Sequence, residues 1–292
     1  MFLLMHNPLS SNEKSKRTTH RYVRFFQRHK IPFKLRSVLK IHNLQRYLDK
    51  NKDIEHILFL GGDGSINHLI NNIKLKTIDP DIYLGRSGSG NDFLRSLKKK
   101  HEGDITVGEA STDQGTTKFI NGCGLGIDAM VSDYVNKDKN KGKLSYFINV
   151  FRSVRDYEAT DMEVTVDGTT HHFEDTYFAS VQNGEFFGGG MHVTPDANIE
   201  SDDFMICVAH NLNKFLINML FLTIYPGLHT KLRKYITILK GKTLHIKSPR
   251  PLYFQADGEV IKNVSEMTVT KKESLPFKAF DKNHIKSLYK NG

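Results

Sequence analysis

Cysteine is nearly absent from this chain of 292 residues: Cys123 and Cys207 are the only two, far apart in sequence. No disulfide framework can be built from them, so the chain reads as a protein of a reducing interior. Long hydrophobic runs are also missing. The most apolar stretch, Phe215 to Tyr225, is far short of the ~20 residues needed to span a bilayer. Met1 to Met5 leads straight into His6-Asn7-Pro8 without the basic region or cleavage site of a signal peptide, and reads as a first buried strand. These absences predict a cytoplasmic protein with, at most, peripheral contact to the inner face of the membrane. Neither cysteine belongs to a Cys-x-x-Cys pair, and the fourteen histidines include no His-Glu-x-x-His, so no zinc site is expected. Internal repeats and low-complexity linkers are absent too.

What remains is ordinary globular material with an excess of cations. A hydrophobic fraction of 38% and a charged fraction of 25% fit a folded chain. The formal charge of +10 points to an anionic partner: nucleic acid, a membrane surface or a phosphorylated substrate. Nucleic acid is set aside, because the Lys and Arg residues are spread along the chain and no reader motif accompanies them.

The first third alternates strand and helix signals. Phe2 to Met5 reads as strand, and Glu13 to Lys30 as a basic amphipathic helix with Tyr22, Val23 and Phe26 at helical spacing. Phe33 to Leu39 and the short helix His42 to Lys50 follow. His56 to Leu60 is a continuous apolar run of the kind found in strands covered on both faces. Ile66, Leu69, Ile70 and Ile73 mark a helix, Ile82 to Leu84 a strand, and Asp92 to Lys98 another helix. Beyond residue 104 strands dominate: Met162 to Val166 ending at the hairpin pair Asp167-Gly168, then Asp203 to Ala209, Thr243 to Lys247, Leu252 to Ala256 and Glu266 to Thr270. Two helices interrupt them, Lys143 to Tyr157 and Leu212 to Tyr225. The chain is thus an α/β domain over residues 1–118 followed by a mostly β domain over 119–278.

Two glycine clusters carry chemistry. Gly61-Gly62-Asp63-Gly64-Ser65 sits between a buried strand and a helix, where glycines let a phosphate approach backbone N–H groups at a helix N-terminus. It is neither a P-loop nor a Gly-x-Gly-x-x-Gly fingerprint, and it reads equally as a tight turn with Asp63 or Ser65 as N-cap. Gly85 to Asp92 repeats the arrangement one strand later. Both turns would line the edge beyond the strand carboxyl ends, where open α/β sheets bind ligands. An aspartate in each turn is more than capping requires, and beside phosphates a carboxylate needs a cation.

The combination resembles the diacylglycerol kinase catalytic-domain family, in particular the soluble bacterial lipid kinases. His6-Asn7-Pro8-Leu9-Ser10 is similar to the first-strand Asn-Pro motif. Gly61 to Ser65 with Asn67 resembles Gly-Gly-Asp-Gly-Thr-x-x-Asn, and Gly88-Ser89-Gly90-Asn91-Asp92-Phe93-Leu94-Arg95 resembles Gly-Thr-x-Asn-Asp-Phe-Ala-Arg. Asn121-Gly122 through Asp128, the pattern Asn183, Phe187 to Gly190, Pro195, Ala197, Gly227 and His229, and finally Asp257-Gly258-Glu259 follow in the family's order. The resemblance implies an NAD kinase-like α/β nucleotide domain, a β-sandwich substrate domain, a cleft between them, and a C-terminal tail (279–292) that returns to the first domain. It implies ATP against Asn7, Gly61, Gly62, Gly64, Ser65, Gly88, Ser89, Gly90 and Asn91. It also implies Mg²⁺ near Asp63, Asp92 and Asp128, and Asp257 or Glu259 as the base that takes the proton of a lipid hydroxyl. Diacylglycerol at the membrane surface is the implied acceptor, and a homodimer the implied assembly. By itself, Ala256 to Glu259 is a common hairpin turn.

Three positions depart from the family pattern. Ser11 replaces a glycine, His68 stands where glutamate is usual, and Glu200-Ser201-Asp202-Asp203 replaces a loop that in relatives helps to hold a structural magnesium, for which Asp202 or Glu200 are the available hard ligands. His68 and the altered Asp202 loop keep open a non-catalytic lipid- or nucleotide-binding regulator, and the Gly-Gly-Asp-Gly turn, shared with the related NAD kinases, keeps open a kinase of a soluble hydroxyl compound. Lys98 to Lys100 and Lys137 to Lys143 read as solvated faces, Cys123 as a small buried thiol, and Gly188-Gly189-Gly190 as a loop or bulge. The Phe215 to Tyr225 helix is either core or the border of a lipid entrance.

Overall fold

The computed structural model describes residues 1–8, 13–41, 43–73, 75, 78–87, 90–97, 105–138 and 143–289. The chain divides into two units, Met1–Ile105 with Ser274–Gly292, and Thr106–Glu273.

Unit 1 alternates strand and helix: β1 (Phe2–His6), α1 (Glu13–Arg28), β2 (Phe33–Ser37), α2 (Leu44–Asp49), β3 (His56–Gly61), α3 (Asp63–Asn72), β4 (Asp81–Arg86) and α4 (Asp92–Leu97). β1, β2, β3 and β4 pair in parallel, as continuous apolar runs require, since a parallel sheet is covered on both faces. Phe2, Leu4, Leu58, Leu60 and Tyr83 from the sheet pack against Phe25 and Phe26 of α1. The predicted strand over 33–39 stops at Ser37, whose hydroxyl accepts from the Leu39 N–H at 3.2 Å and turns Val38–Lys40 into a 3-10 helix. α2 starts where Asn43 caps it, its side-chain oxygen accepting from the Arg46 N–H at 2.8 Å. His42, Lys98 to Lys100 and most of the segment before Lys143 lie outside the described residues.

Unit 2 is built on antiparallel strands: β5 (Ile105–Thr112), β6 (Gly115–Phe119), β7 (Gly122–Gly126), α5 (Ile127–Lys137), α6 (Lys143–Asp156), β8 (Thr160–Val166), β9 (Thr169–Thr176), β10 (Phe178–Gln182), the small hairpin β11 (Phe186–Phe187) and β12 (Met191–His192), β13 (Phe204–Ala209), α7 (Lys214–Ile224), β14 (Ile236–Gly241), β15 (Leu244–Ala256) and β16 (Glu259–Leu275). The strand order is β14-β13-β10-β7-β15-β16-β5-β6, with β8 and β9 branching from β15. The two strands expected over 243–247 and 252–256 are one, β15, with its register shifting between Lys247 and Leu252. That irregularity lets one end pair with β8 and the other with β7.

The chain then re-enters unit 1 as β17 (Phe277–Ala279), parallel to β4, and α8 (Lys282–Ser287). Asp281 caps α8, one carboxylate oxygen accepting from the N–H groups of Asn283 (2.9 Å) and His284 (2.7 Å). Ile285 is fully buried in the cluster of Phe2 and Phe26, and His284 Nε2 lies 3.2 Å from the Tyr83 hydroxyl. Among the described residues no helix is long and apolar enough to cross a membrane. Because Ile285 anchors the tail to the sheet core, Ile285→Ala should cost unit 1 about 2–4 kcal/mol. Urea unfolding followed by circular dichroism measures it.

Candidate functional site

In unit 1 the ends of β1, β3 and β4 bring three sequence motifs to the carboxyl edge of the sheet. The two glycine turns are hydrogen-bonded to each other: Ser87 N–H donates to the Gly61 carbonyl (3.1 Å) and Asp63 N–H to the Gly90 carbonyl (3.2 Å). A Cβ on Gly62 would lie 2.5 Å from the Gly90 carbonyl oxygen, so only glycine permits this approach. Asp63 begins α3 but does not cap it. Its carboxylate reaches across to α4 and accepts from the N–H groups of Asp92 (2.8 Å) and Phe93 (3.1 Å). This is an N-cap supplied by a different segment, a pairing that local spacing does not reveal. Asn7 Nδ2 donates to the Ser65 hydroxyl at 3.3 Å, tying the Asn-Pro segment to α3. No atom of the described residues lies within 4 Å of a Cβ built on Gly64, at the first turn of α3. Asp92 is buried, 3.6 Å from the Arg95 guanidinium. Asn91 is buried beside it, and Gly88 and Ser89 lie outside the described residues. His68 is exposed on α3, its carbonyl accepting from the Asn72 amide at 2.9 Å.

In unit 2 a second polar group forms around the Asp257-Gly258 turn. Both residues have positive φ, 49° and 90°, as a two-residue hairpin of this hand demands. The Asp257 carboxylate accepts from three successive backbone N–H groups, those of Ile120 (2.7 Å), Asn121 (2.9 Å) and Gly122 (3.2 Å). Its own N–H donates to the Gly122 carbonyl at 2.9 Å. Asp257 therefore clamps the β15–β16 turn onto the β6–β7 connection. Glu259, two residues on, is exposed.

Asp128 lies in the first turn of α5, beside a strand with glycine at every other position. On β7 a Cβ at Gly122 would strike the Gln182 amide (2.5 Å), at Gly124 the Ala179 carbonyl and the Asp128 carboxylate (both 2.9 Å), and at Gly126 the Tyr177 carbonyl (2.3 Å). The alternation Gly-x-Gly-x-Gly over 122–126 is the signal that hydrophobic patterning overlooks here, because the face it marks carries hydrogen atoms only. Asp128 Oδ2 accepts from Gln255 Nε2 at 3.1 Å, and Gln255 Oε1 accepts from the Gly258 N–H at 3.1 Å. Gln255, absent from the sequence-based candidates, thus joins Asp128 to the hairpin turn. Asp128 Oδ1 is buried with no hydrogen-bond partner among the described residues. Burial raises the Asp128 carboxyl to about 6, with Gln255 and the Ala129 N–H pulling the other way. A buried, half-satisfied carboxylate fits a cation, which would supply both the missing contact and the missing charge. Cys123 and Cys207 are free and fully buried, and burial, with the negative charge of Asp128 nearby, raises both thiols away from reactivity.

The loop expected to hold a structural metal is organised otherwise. Lys271 Nζ donates to Asn183 Oδ1 (2.6 Å), to Thr106 Oγ1 (2.6 Å) and to the Ser201 carbonyl, and stands 4.8 Å over the Phe204 ring. Burial lowers this ammonium to about 8, against the opposing pull of Asp202 and Asp203. Asp202 itself is 74% exposed and faces Lys242 at 3.7 Å. Among the described residues no three His, Cys, Asp or Glu side chains gather as metal ligands. Oxygens of the kind a cation would need are thus spent on an ammonium, and a second metal does not fit. Other members of the second-domain pattern interlock structurally. The His229 ring is buried with Nε2 2.8 Å from the Val193 carbonyl, and Gly227, at φ 74°, leaves 3.1 Å between its missing Cβ and Pro195. Gly188, Gly189 and Gly190, all at positive φ, form the tip of the β11–β12 hairpin.

Comparison with known proteins agrees with this architecture. Residues 1–119 match the diacylglycerol kinase catalytic domain, and residues 122–276 the YegS C-terminal NAD kinase beta sandwich-like domain. YtlR of Bacillus subtilis is 27% identical over 76% of this chain and 78% of its own length. The diacylglycerol kinase of Mycobacterium tuberculosis is 25% identical over 71% of each chain. A solved diacylglycerol kinase structure from Bacillus anthracis aligns with a TM-score of 0.65 at 17% identity, covering 95% of both chains, which speaks to fold alone. With those two domain matches in sequence along the chain, it belongs to the diacylglycerol kinase catalytic-domain family.

Two predictions follow from these geometries. In metal-free protein Asp128→Asn should be the more stable form at pH 7, by about 3 kcal/mol. The native carboxyl is raised, so the folded state holds the extra proton between pH 3.8 and about 6. The stability cost of Asp128 therefore grows across that window and is constant above it. Paired denaturant titrations from pH 4 to 8 test this, and a constant offset would contradict it. Lys271→Met should abolish hydrogen-exchange protection of residues 198–203 and cost roughly 2–4 kcal/mol. Chelating Mg²⁺ should leave that protection in the wild type unchanged.

Proposed function

We propose that the protein transfers the γ-phosphoryl group of ATP to a lipid hydroxyl, with diacylglycerol as acceptor and phosphatidic acid as product. The observation that carries this reading is the interlocked pair of glycine turns at the carboxyl edge of the parallel sheet, with Asp63 binding one turn to the helix of the other. Rigid backbone at that edge, Gly64 at the first turn of α3 and the positive end of a ten-residue helix suit a phosphate. Family membership and relatives named diacylglycerol kinase support the lipid acceptor.

Asn7, Gly61, Gly62, Gly64 and Ser65, with Gly90 and Asn91, are the groups that line the nucleotide. In unit 1, Asp63 and Asp92 are the residues that would hold Mg²⁺, which when bound would neutralise phosphate charge; in unit 2, Asp128 is a carboxylate that by itself fits a cation. The lipid hydroxyl attacks the γ-phosphorus in line as the bond to the bridging oxygen of ADP breaks, and the hydroxyl proton must go to a base. Glu259 fills that role better than Asp257. The Asp257 carboxylate already accepts three backbone N–H groups, so its oxygens are engaged and held in place, whereas Glu259 is exposed. Asp257 is a positioning residue: it fixes the hairpin from which Glu259 projects.

The test is transfer of labelled γ-phosphate to diacylglycerol in mixed micelles with anionic phospholipid. Glu259→Gln should lower kcat by about 10²–10⁴-fold while leaving stability within roughly 0.5 kcal/mol of wild type. Asp257→Ala should lose activity together with about 2–4 kcal/mol of stability, because three backbone donors lose their acceptor. Full turnover in Glu259→Gln would move the base elsewhere. ATP binding without any labelled lipid from the wild type would replace the kinase by a nucleotide- and lipid-binding regulator.

A further inference from the structure

Helix α7 is apolar on more than its buried side. Ile217, Leu220, Phe221 and Ile224 face the core, with the Phe221 ring against those of Tyr146 and Phe147 on α6. On the outer side Phe215 is 70% exposed, Met219 46% and Leu222 55%, spaced so that they share one helical stripe. On α6, Ile148 and Phe151 are equally bare. The Lys214 ammonium donates to the Arg155 carbonyl, which pins the start of α7 against the end of α6 and joins the two stripes. Leu228 and Leu232, just beyond α7, extend the exposed apolar surface. A contiguous surface of this kind marks an interaction site, whereas a lone exposed leucine does not.

Charge makes the partner an anionic one. Between Asp203 and Asp257 the chain contains no Asp or Glu, while Lys214, Lys231, Arg233 and Lys234 are exposed around the apolar residues. On α6 the exposed Arg152 adds to them, and the carboxylate of Asp156 is already paired with Arg155 at 2.7 Å. Lys231 and Arg233 also line an open cavity of about 690 Å³ with Thr194, Thr230, Thr237 and the carboxylate of Asp196. That cavity has room and donors for a phosphodiester headgroup. Aromatic and aliphatic side chains bordered by cations match the boundary between acyl chains and anionic headgroups.

We propose that the outer face of α6, α7 and the turn after it, bordered by Arg152, Lys214, Lys231, Arg233 and Lys234, docks this protein on an anionic phospholipid bilayer. The choice of a bilayer over a protein partner rests on the lipid-kinase reading; the surface itself does not.

The chain has no tryptophan, so Phe215→Trp creates a single fluorescent reporter. In the full chain its emission should shift to the blue, and be quenched by brominated acyl chains, with vesicles containing phosphatidylglycerol but not with phosphatidylcholine alone. Thr169→Trp, on the exposed β8–β9 hairpin, should not respond. A Phe215→Ser/Leu222→Ser double variant should bind phosphatidylglycerol vesicles at least about tenfold more weakly. Its phosphorylation of a water-soluble short-chain diacylglycerol should stay at the wild-type rate. Undiminished vesicle binding by the double variant, or an unresponsive Phe215→Trp reporter, overturns the proposal. So does a concentration-dependent dimer that the double variant abolishes, which would assign the face to a second copy. Vesicle binding as expected without phosphorylation of the short-chain substrate by either form upholds the docking surface and removes the kinase reading.

Discussion

The approach of one glycine turn to another is the constraint on which unit 1 depends. Gly62 lies so close to the Gly90 carbonyl that no side chain fits between them. The Asp63 carboxylate then closes the gap by capping α4 from outside it. Backbone groups in such a turn cannot relax toward a ligand, so a phosphate would meet donors that are already oriented. Preorganisation of this kind is what phosphoryl transfer asks of a protein, since positioning and electrostatics supply most of the rate.

Unit 2 solves a different problem, that of keeping an uncompensated carboxylate in its interior. Gly124 leaves room for the Asp128 carboxylate, and Gln255 gives it one hydrogen bond while joining it to the Asp257 turn. Asp257, by contrast, is satisfied by three backbone donors. Two carboxylates a short way apart in the network therefore have opposite characters: one is anchored and structural, the other raised by burial and suited to a cation.

The loop at 198–203 shows how a charge can be moved rather than lost. A lysine ammonium on β16 takes the Ser201 carbonyl, the Asn183 amide oxygen and the Thr106 hydroxyl. Asp203 and Asp202 of the loop face Lys240 and Lys242 instead. An internal cation needs no supply of free metal, and its cost is the desolvation that lowers Lys271.

The order of elements in unit 1 was determined by the sequence alone, because continuous apolar runs such as His56 to Leu60 and helical spacing such as Ile66, Leu69 and Ile70 are local signals. The glycine turns and the family motifs were legible for the same reason. Tertiary structure alone decided what those residues do for one another. That Asp63 caps α4 and not its own helix depends on contacts between segments about thirty residues apart in the chain. That Asp257 is an anchor while Glu259 is exposed depends on the β6–β7 connection, more than a hundred residues upstream of it. Gln255 and Lys271 left no trace in local pattern, since an amide or an ammonium acquires its role only from the oxygens that folding brings to it. Periodicity records which face of an element is buried; it does not record which partner is buried with it.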